Sequence, residues 1–192
     1  MIDYTFQDEG EAVIYGNSHR LSINDKTDDP EAFPYILTES TEGAAQDVNE
    51  PISTHSNFIY ASFADGVDPT KCTFKVLDLE ATGNMGVSAE STIKIGGPMF
   101  VKSEVTCEYD NVLVSKFYMA LMGNGSGEKD KLVGQTKYDI QPTLNVRNCR
   151  FRDTFNASVY MYAGGVLNIE NSEMVKAGGP LLFLNPRTED FP

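Results

Sequence analysis

Basic charge is in short supply. The 192-residue chain holds 15 Lys and Arg against 28 Asp and Glu, a formal net charge of −13. A surface this acidic repels phosphate backbones, which argues against nucleic acid as a partner. Nor is there a basic helix or polybasic run to hold the chain to an anionic lipid surface. No apolar run approaches the roughly 18 residues a transmembrane helix needs, so membrane insertion is not expected. The opening residues, MIDYTFQDEG, lack a basic n-region and an apolar h-region, so the sequence as written carries no signal peptide. Two readings follow: a cytosolic chain, or a mature chain or excised piece of a larger protein. The ending, LFLNPRTEDFP, comes directly after an apolar run and favours the second.

Residues that carry chemistry are also sparse. Cys72, Cys107 and Cys149 are widely spaced and form no CxxC or His/Cys cluster, so a structural zinc site is not expected. An odd count also argues against a disulfide scaffold, leaving the cysteines as small buried apolar residues. The histidines are His19 and His55, in separate segments without an evident Ser or Cys partner, which argues against a Ser-His-Asp site. GNGSGEK (Gly123 to Lys129) lacks the residue order of a phosphate-binding loop and reads as a flexible, hairpin-like excursion. The oxygen-rich stretches Asp25 to Glu31 and Asp65 to Pro69 lack EF-hand spacing and read as solvated acidic loops. No metal or cofactor is expected.

Helical periodicity is the last absence. No long window places apolar residues at i, i+3, i+4 and i+7. What stands there instead are short runs that alternate with period two, such as FKVLDLEA, NVLVSKFYMALM and GGPLLFLN. They are rich in Val, Ile, Phe and Tyr and are split by Gly, Asn, Asp and Pro, which predicts an all-β chain.

These runs repeat. TLNVRNCRF from Thr143 and VLNIENSEM from Val166 share one pattern. Leu144, Val146, Asn148 and Phe151 match Leu167, Ile169, Asn171 and Met174. CEYDNVLV supplies Cys107, Tyr109, Asn111 and Val114 in the same slots, and FKVLDLEA supplies Phe74, Val76, Asp78 and Ala81. The polar slot thus reads Asp78, Asn111, Asn148, Asn171, at intervals of 33, 37 and 23 residues. Intervals of this size are those of stacked structural repeats, the longer ones carrying loop insertions. A stacked Asn at a turn is expected to satisfy buried polar groups that would otherwise cost about 1–3 kcal/mol each. Gly-Gly-Pro at Gly96 to Pro98 and Gly178 to Pro180, and the pair Gly164–Gly165, are candidate sharp corners with positive φ.

With these motifs the chain resembles right-handed parallel β-helix repeat proteins, the superfamily that includes pectate-lyase-like enzymes and bacterial surface β-helices. GGVLNIENSEM looks like their glycine-pair, apolar-x-apolar-x-Asn rung, and AVIYGNSHRLSI (Ala12 to Ile23) is similar to their opening rungs. The resemblance covers about residues 12–23 and 72–184. It implies a right-handed parallel β-helix (a β-solenoid) of about five or six rungs with loop insertions, one domain over 1–192 and part of a larger protein. Residues 24–68, acidic and rich in Pro, Ser and Thr, read as an acidic loop or lateral insertion. The C-terminus offers no polar cap, which solenoids need.

On function the resemblance implies a secreted or cell-surface location and three roles. One is a non-catalytic, adhesin-like, carbohydrate-binding module, with a polysaccharide or another protein as partner. A second is a pectate-lyase-like polysaccharide lyase or glycoside hydrolase. The third is a purely structural spacer. Catalysis would need paired carboxylates in one outer groove. Glu108 with Asp110, and Arg150 and Arg152 with Asp153, are the available groups, but no carboxylate recurs in one outward slot of neighbouring repeats. No catalytic residue is therefore assigned, and Arg147 and Glu170 read as a surface ion pair. For binding, Tyr118, Tyr160 and Tyr162 are the candidates. FYMALM, VYMY and LLFL are expected on successive strands of one sheet, with Val159 and Met161 inward and the tyrosines outward, offering a flat apolar face with a polar tip.

Overall fold

The computed structural model describes residues 2–22, 57–83, 99–125, 132–133, 136–137, 141–154, 156–162 and 164–185. Among them the chain is all-β, with one 3-10 turn at Pro69–Lys71. The first sheet holds β1 (Ile2–Phe6), β3 (Asn57–Phe63), β5 (Met99–Ser103), β7 (Met119–Asn124), β12 (Val159–Tyr162) and β15 (Leu182–Asn185), neighbours in that order. The second holds β2 (Gly10–Ser22), β4 (Cys72–Thr82), β6 (Thr106–Ser115), the pair β10 (Thr143–Arg147) and β11 (Arg150–Arg152), and the pair β13 (Val166–Glu170) and β14 (Glu173–Val175). Every ladder in both sheets is parallel. Among the described residues only β8 (Leu132–Val133) and β9 (Thr136–Lys137) pair antiparallel. Successive strands thus alternate between the two sheets, and each strand pairs with the equivalent strand before and after it.

The sequence repeat is the register of the second sheet. Leu144 pairs with Cys107 and Leu167, and Val146 with Tyr109 and Ile169. Phe74 and Val76 pair with Cys107 and Tyr109, while Val114 pairs with Ala81 and Phe151. Within each strand, alternation breaks once. Buried positions run Phe74, Val76, then Leu79, Ala81, and likewise Cys107, Tyr109, then Val112, Val114. The break falls where a residue adopts left-handed backbone: Asp78 (φ 55°), Asn111 (54°), Asn148 (52°) and Asn171 (47°). One αL residue adds an extra position and resets which face the next side chain meets. Asn and Asp tolerate this conformation better than other residues with a Cβ.

A second set of corners lies five residues downstream, at Lys116 (φ 58°), Asp153 (54°) and Lys176 (54°). Lysine has no special tolerance for αL, so residue type did not mark the turns at Lys116 and Lys176, whereas Asp153 is of a type that accepts it. Gly164 and Gly165 do take positive φ (98° and 115°), but Gly178 and Gly179 are not among the positive-φ glycines, and Gly96 to Pro98 lie outside the described residues.

Both sheets face one continuous core that includes Phe63, Phe74, Phe100, Tyr109, Phe117 and Phe151. Full burial of side chains this size contributes about 1.5–3 kcal/mol each relative to exposure. Cys72, Cys107 and Cys149 are buried free thiols within it. A smaller cluster of Met99, Met119, Met122 and Ala157 packs against Tyr118 and Tyr160.

The reading of residues 24–68 as loop needs correction at its C-terminal part. Asn57–Phe63 is the strand β3, in the interior of the first sheet, because Ile59, Ala61 and Phe63 alternate into the core. Asp65 and Gly66 form a turn, and Asp68 caps the 3-10 turn, accepting from the Thr70 amide at 3.0 Å and the Thr70 hydroxyl at 2.6 Å. Those bonds hold the Asp68 carboxyl below its ordinary value. Residues 24–56, with His55 and the stretch Asp25 to Glu31, lie outside the described residues.

Candidate functional site

The residues nominated for binding sit on three neighbouring strands of the first sheet or beside them. β7, β12 and β15, which carry FYMALM, VYMY and LLFL, are adjacent. Val159 and Met161 are buried, while Tyr160 is half-buried and Tyr162 is 44% exposed. Register sets Lys102, Met122, Tyr160 and Phe183 side by side on the outer face. The Tyr160 ring centroid lies 5.0 Å from Phe183 and 6.0 Å from Tyr162, both tilted contacts. Three rings therefore form one outward strip. Tyr118 precedes β7 and packs against the same methionine cluster as Tyr160, and its hydroxyl accepts from Asn156 Nδ2 at 2.9 Å. The structure thus joins Tyr160 to Tyr162 and adds Phe183.

A polar group on the same face escaped sequence reading. Glu104 is only 8% exposed, although it is charged. Its Oε1 accepts from the Tyr60 hydroxyl at 2.5 Å and from Asn124 Nδ2 at 3.3 Å. Lys102 Nζ lies 5.3 Å from the centre of the Tyr60 ring. Burial raises the Tyr60 phenol well above its ordinary value, reinforced by the Glu104 charge. Burial also lowers the Lys102 ammonium, against the pull of Glu104. Donors converging on a buried carboxylate fix its position. Asn124 is the register partner of Tyr162, so this rigid cluster borders the aromatic strip. No local motif joins these residues. They meet only because β3, β5 and β7 are adjacent, and β3 lay in the stretch read as loop.

The Asp78, Asn111, Asn148, Asn171 column lies on the solvent side of the second sheet. Asn111, Asn148 and Asn171 are exposed, so they do not serve buried polar groups. An αL residue swings its side chain away from the core, and the contacts are with neighbouring side chains. Ser18 Oγ donates to Asp78 Oδ2 at 3.0 Å and Asn111 Nδ2 to Asp78 Oδ1 at 2.5 Å, whereas Asn148 Nδ2 donates to Asp110 Oδ1 at 2.8 Å. The column borders an open groove of about 390 Å³ that also reaches Glu80, Arg150 and Glu173.

The charged groups considered for catalysis are dispersed in surface pairs. Glu108 holds Lys75 at 3.2 Å, and Lys75 also reaches Glu11 at 2.6 Å. Arg150 pairs with Glu173 at 2.6 Å. Arg147 and Glu170 are register partners on β10 and β13. Among the described residues no group of three or more His, Cys, Asp or Glu is placed to hold a metal ion.

Inside the core, Cys107 Sγ donates to Ser103 Oγ at 3.0 Å and Cys149 Sγ to the Arg147 carbonyl at 3.0 Å. Burial pushes both thiols up to about 11. Such thiols stay protonated and make poor nucleophiles or metal ligands. Burial raises the Tyr109 hydroxyl well above its ordinary value, reinforced by the neighbouring Cys107.

The chain matches no family model, no curated protein and no solved structure.

Proposed function

We propose that the chain is a right-handed parallel β-helix module of an extracellular or cell-surface protein, adhesin-like and non-catalytic, whose first sheet binds carbohydrate on its outer face. The alternation of strands between two parallel sheets supports the fold part of this reading. The observation that carries the binding part is the continuous strip of Phe183, Tyr160 and Tyr162 rings. Flat apolar faces at this spacing suit successive sugar rings, and the phenol hydroxyls give the strip polar tips that can bond sugar hydroxyls. The Glu104 cluster beside the strip keeps its strands in place. Glu108 and Arg150, tied to Lys75 and Glu173, supply no convergent acid–base pair to favour the lyase or hydrolase alternative.

The test is isothermal titration of the chain with a panel of plant and bacterial polysaccharides, repeated with Tyr160→Ala and Tyr162→Ala. Binding weakened about tenfold or more in each variant is expected. Binding unchanged in both variants refutes the strip as the ligand face. Release of new reducing ends during titration would favour the enzyme reading, and no binding across the panel would favour a structural spacer.

A further inference from the structure

Among the described residues, both sheets end on strands that have a neighbour on one side only. These are β1 and β2 at one end, and β13, β14 and β15 at the other. None of these strands contains a proline or a lysine, although they carry Glu11, Arg20, Glu170 and Glu173, and β2 has an irregularity between Tyr15 and His19. Both edges also carry exposed apolar side chains. Ile169 is 39% exposed and Leu184 63% at the C-terminal edge, and Ile2 is 42% and Leu21 37% at the N-terminal edge.

Three inward columns run from one edge to the other. The column through Ile59, Val101, Leu121 and Val159 begins at Ile2 and ends at Leu182. The column through Val76, Tyr109 and Val146 begins at Ile14 and ends at Ile169. The column through Ala81, Val114 and Phe151 begins at Leu21 and ends at Met174. A strand set that continued the ladders past the C-terminal edge would need apolar residues at these positions, in this register. The N-terminal edge of the same chain has them.

Charge matches in the same register. The outward column Arg20, Glu80, Leu113, Arg150, Glu173 holds two ion pairs, Arg20 with Glu80 and Arg150 with Glu173. It therefore starts on a cation and ends on an anion. Stacking two copies in register sets Glu173 of one beside Arg20 of the next.

We propose that the C-terminal edge of one copy docks on the N-terminal edge of a second copy, head to tail, continuing both parallel ladders. The two surfaces differ, so the contact does not close on itself and builds linear assemblies. The inference rests on the strand edges and not on the aromatic strip, so either can fail without the other.

Sedimentation velocity of the full chain over a concentration series, combined with cysteine cross-linking, tests it. Parallel neighbours lie about 4.8 Å apart, within the Cα separation of about 4.4–6.8 Å that a disulfide spans. Glu173→Cys and Arg20→Cys variants are oxidised separately and as a mixture, while the three native thiols stay buried. The expected result is a mass that grows with concentration and a linked dimer in the mixture alone. Ile169→Lys/Leu184→Lys, at two exposed edge positions, should keep the wild-type thermal unfolding curve and lose association. A chain that stays monomeric up to about 1 mM overturns the proposal. So does cross-linking of either variant by itself, which marks edge pairing about a two-fold axis, or undiminished association of the lysine variant.

Discussion

Asn111 and Asp78 occupy equivalent left-handed corners on adjacent strands, and Asn111 Nδ2 donates to Asp78 Oδ1 at 2.5 Å. The other carboxylate oxygen accepts from Ser18 on the next strand. One side chain thus ties together three neighbouring strands of the second sheet. Asp78→Ala removes both bonds and the local tolerance for positive φ, and is expected to cost about 1–2 kcal/mol. Asp78→Asn keeps the conformation and one acceptor, and should cost less than about 1 kcal/mol. Urea unfolding of the two variants checks the order. An Asp78→Asn loss equal to that of Asp78→Ala would rule out the conformational share.

Asn148 and Asn145 offer a comparison three residues apart. Asn148 has φ 52°, whereas Asn145 lies in extended β10 with its Oδ1 accepting from Asn168 Nδ2 at 2.8 Å. Asn148→Leu is expected to destabilise by about 1–2 kcal/mol, because a branched side chain fits αL backbone poorly. Asn145→Leu should stay within about 0.5–1 kcal/mol, the net value of one surface hydrogen bond. Differential scanning calorimetry measures both, and equal shifts in melting temperature would contradict the corner argument.

Cys107 and Cys149 predict how stability changes at alkaline pH. Burial raises both thiols from 9.0 to about 11, so the folded chain keeps protons that the unfolded chain gives up. Their contribution is fully present below about pH 9 and is lost as pH rises through about 11. Each thiol is expected to account for a loss on the order of 1–2 kcal/mol across that window. Urea unfolding at several pH values should show the decline, and Cys107→Ala/Cys149→Ala should flatten it. A slope unchanged in the double variant would assign the alkaline loss to other groups, such as Tyr109.

The repeat is legible in the sequence because register in a parallel ladder puts like residues beside like. Leu144 over Leu167 and Val146 over Ile169 are pairs in the sequence and in the sheet. The αL corners at Asn111 and Asn148 are legible because few residues with a side chain accept that backbone. The corners at Lys116 and Lys176 are not, since the geometry of the strands on either side imposes their conformation. β3 was hidden for a related reason: NFIYASF follows a long acidic stretch, and its alternation gains meaning only beside β1 and β5.

By itself, the sequence determined an all-β chain, the repeat in the second sheet and the face that Val159 and Met161 turn inward. Each is a matter of spacing along one strand. Tertiary structure decided what depends on neighbouring strands. It extended the aromatic strip to Phe183, and it gathered Tyr60, Lys102 and Asn124 around the buried Glu104 carboxylate. It also turned the Asn column toward solvent, because a left-handed residue points its side chain away from the core.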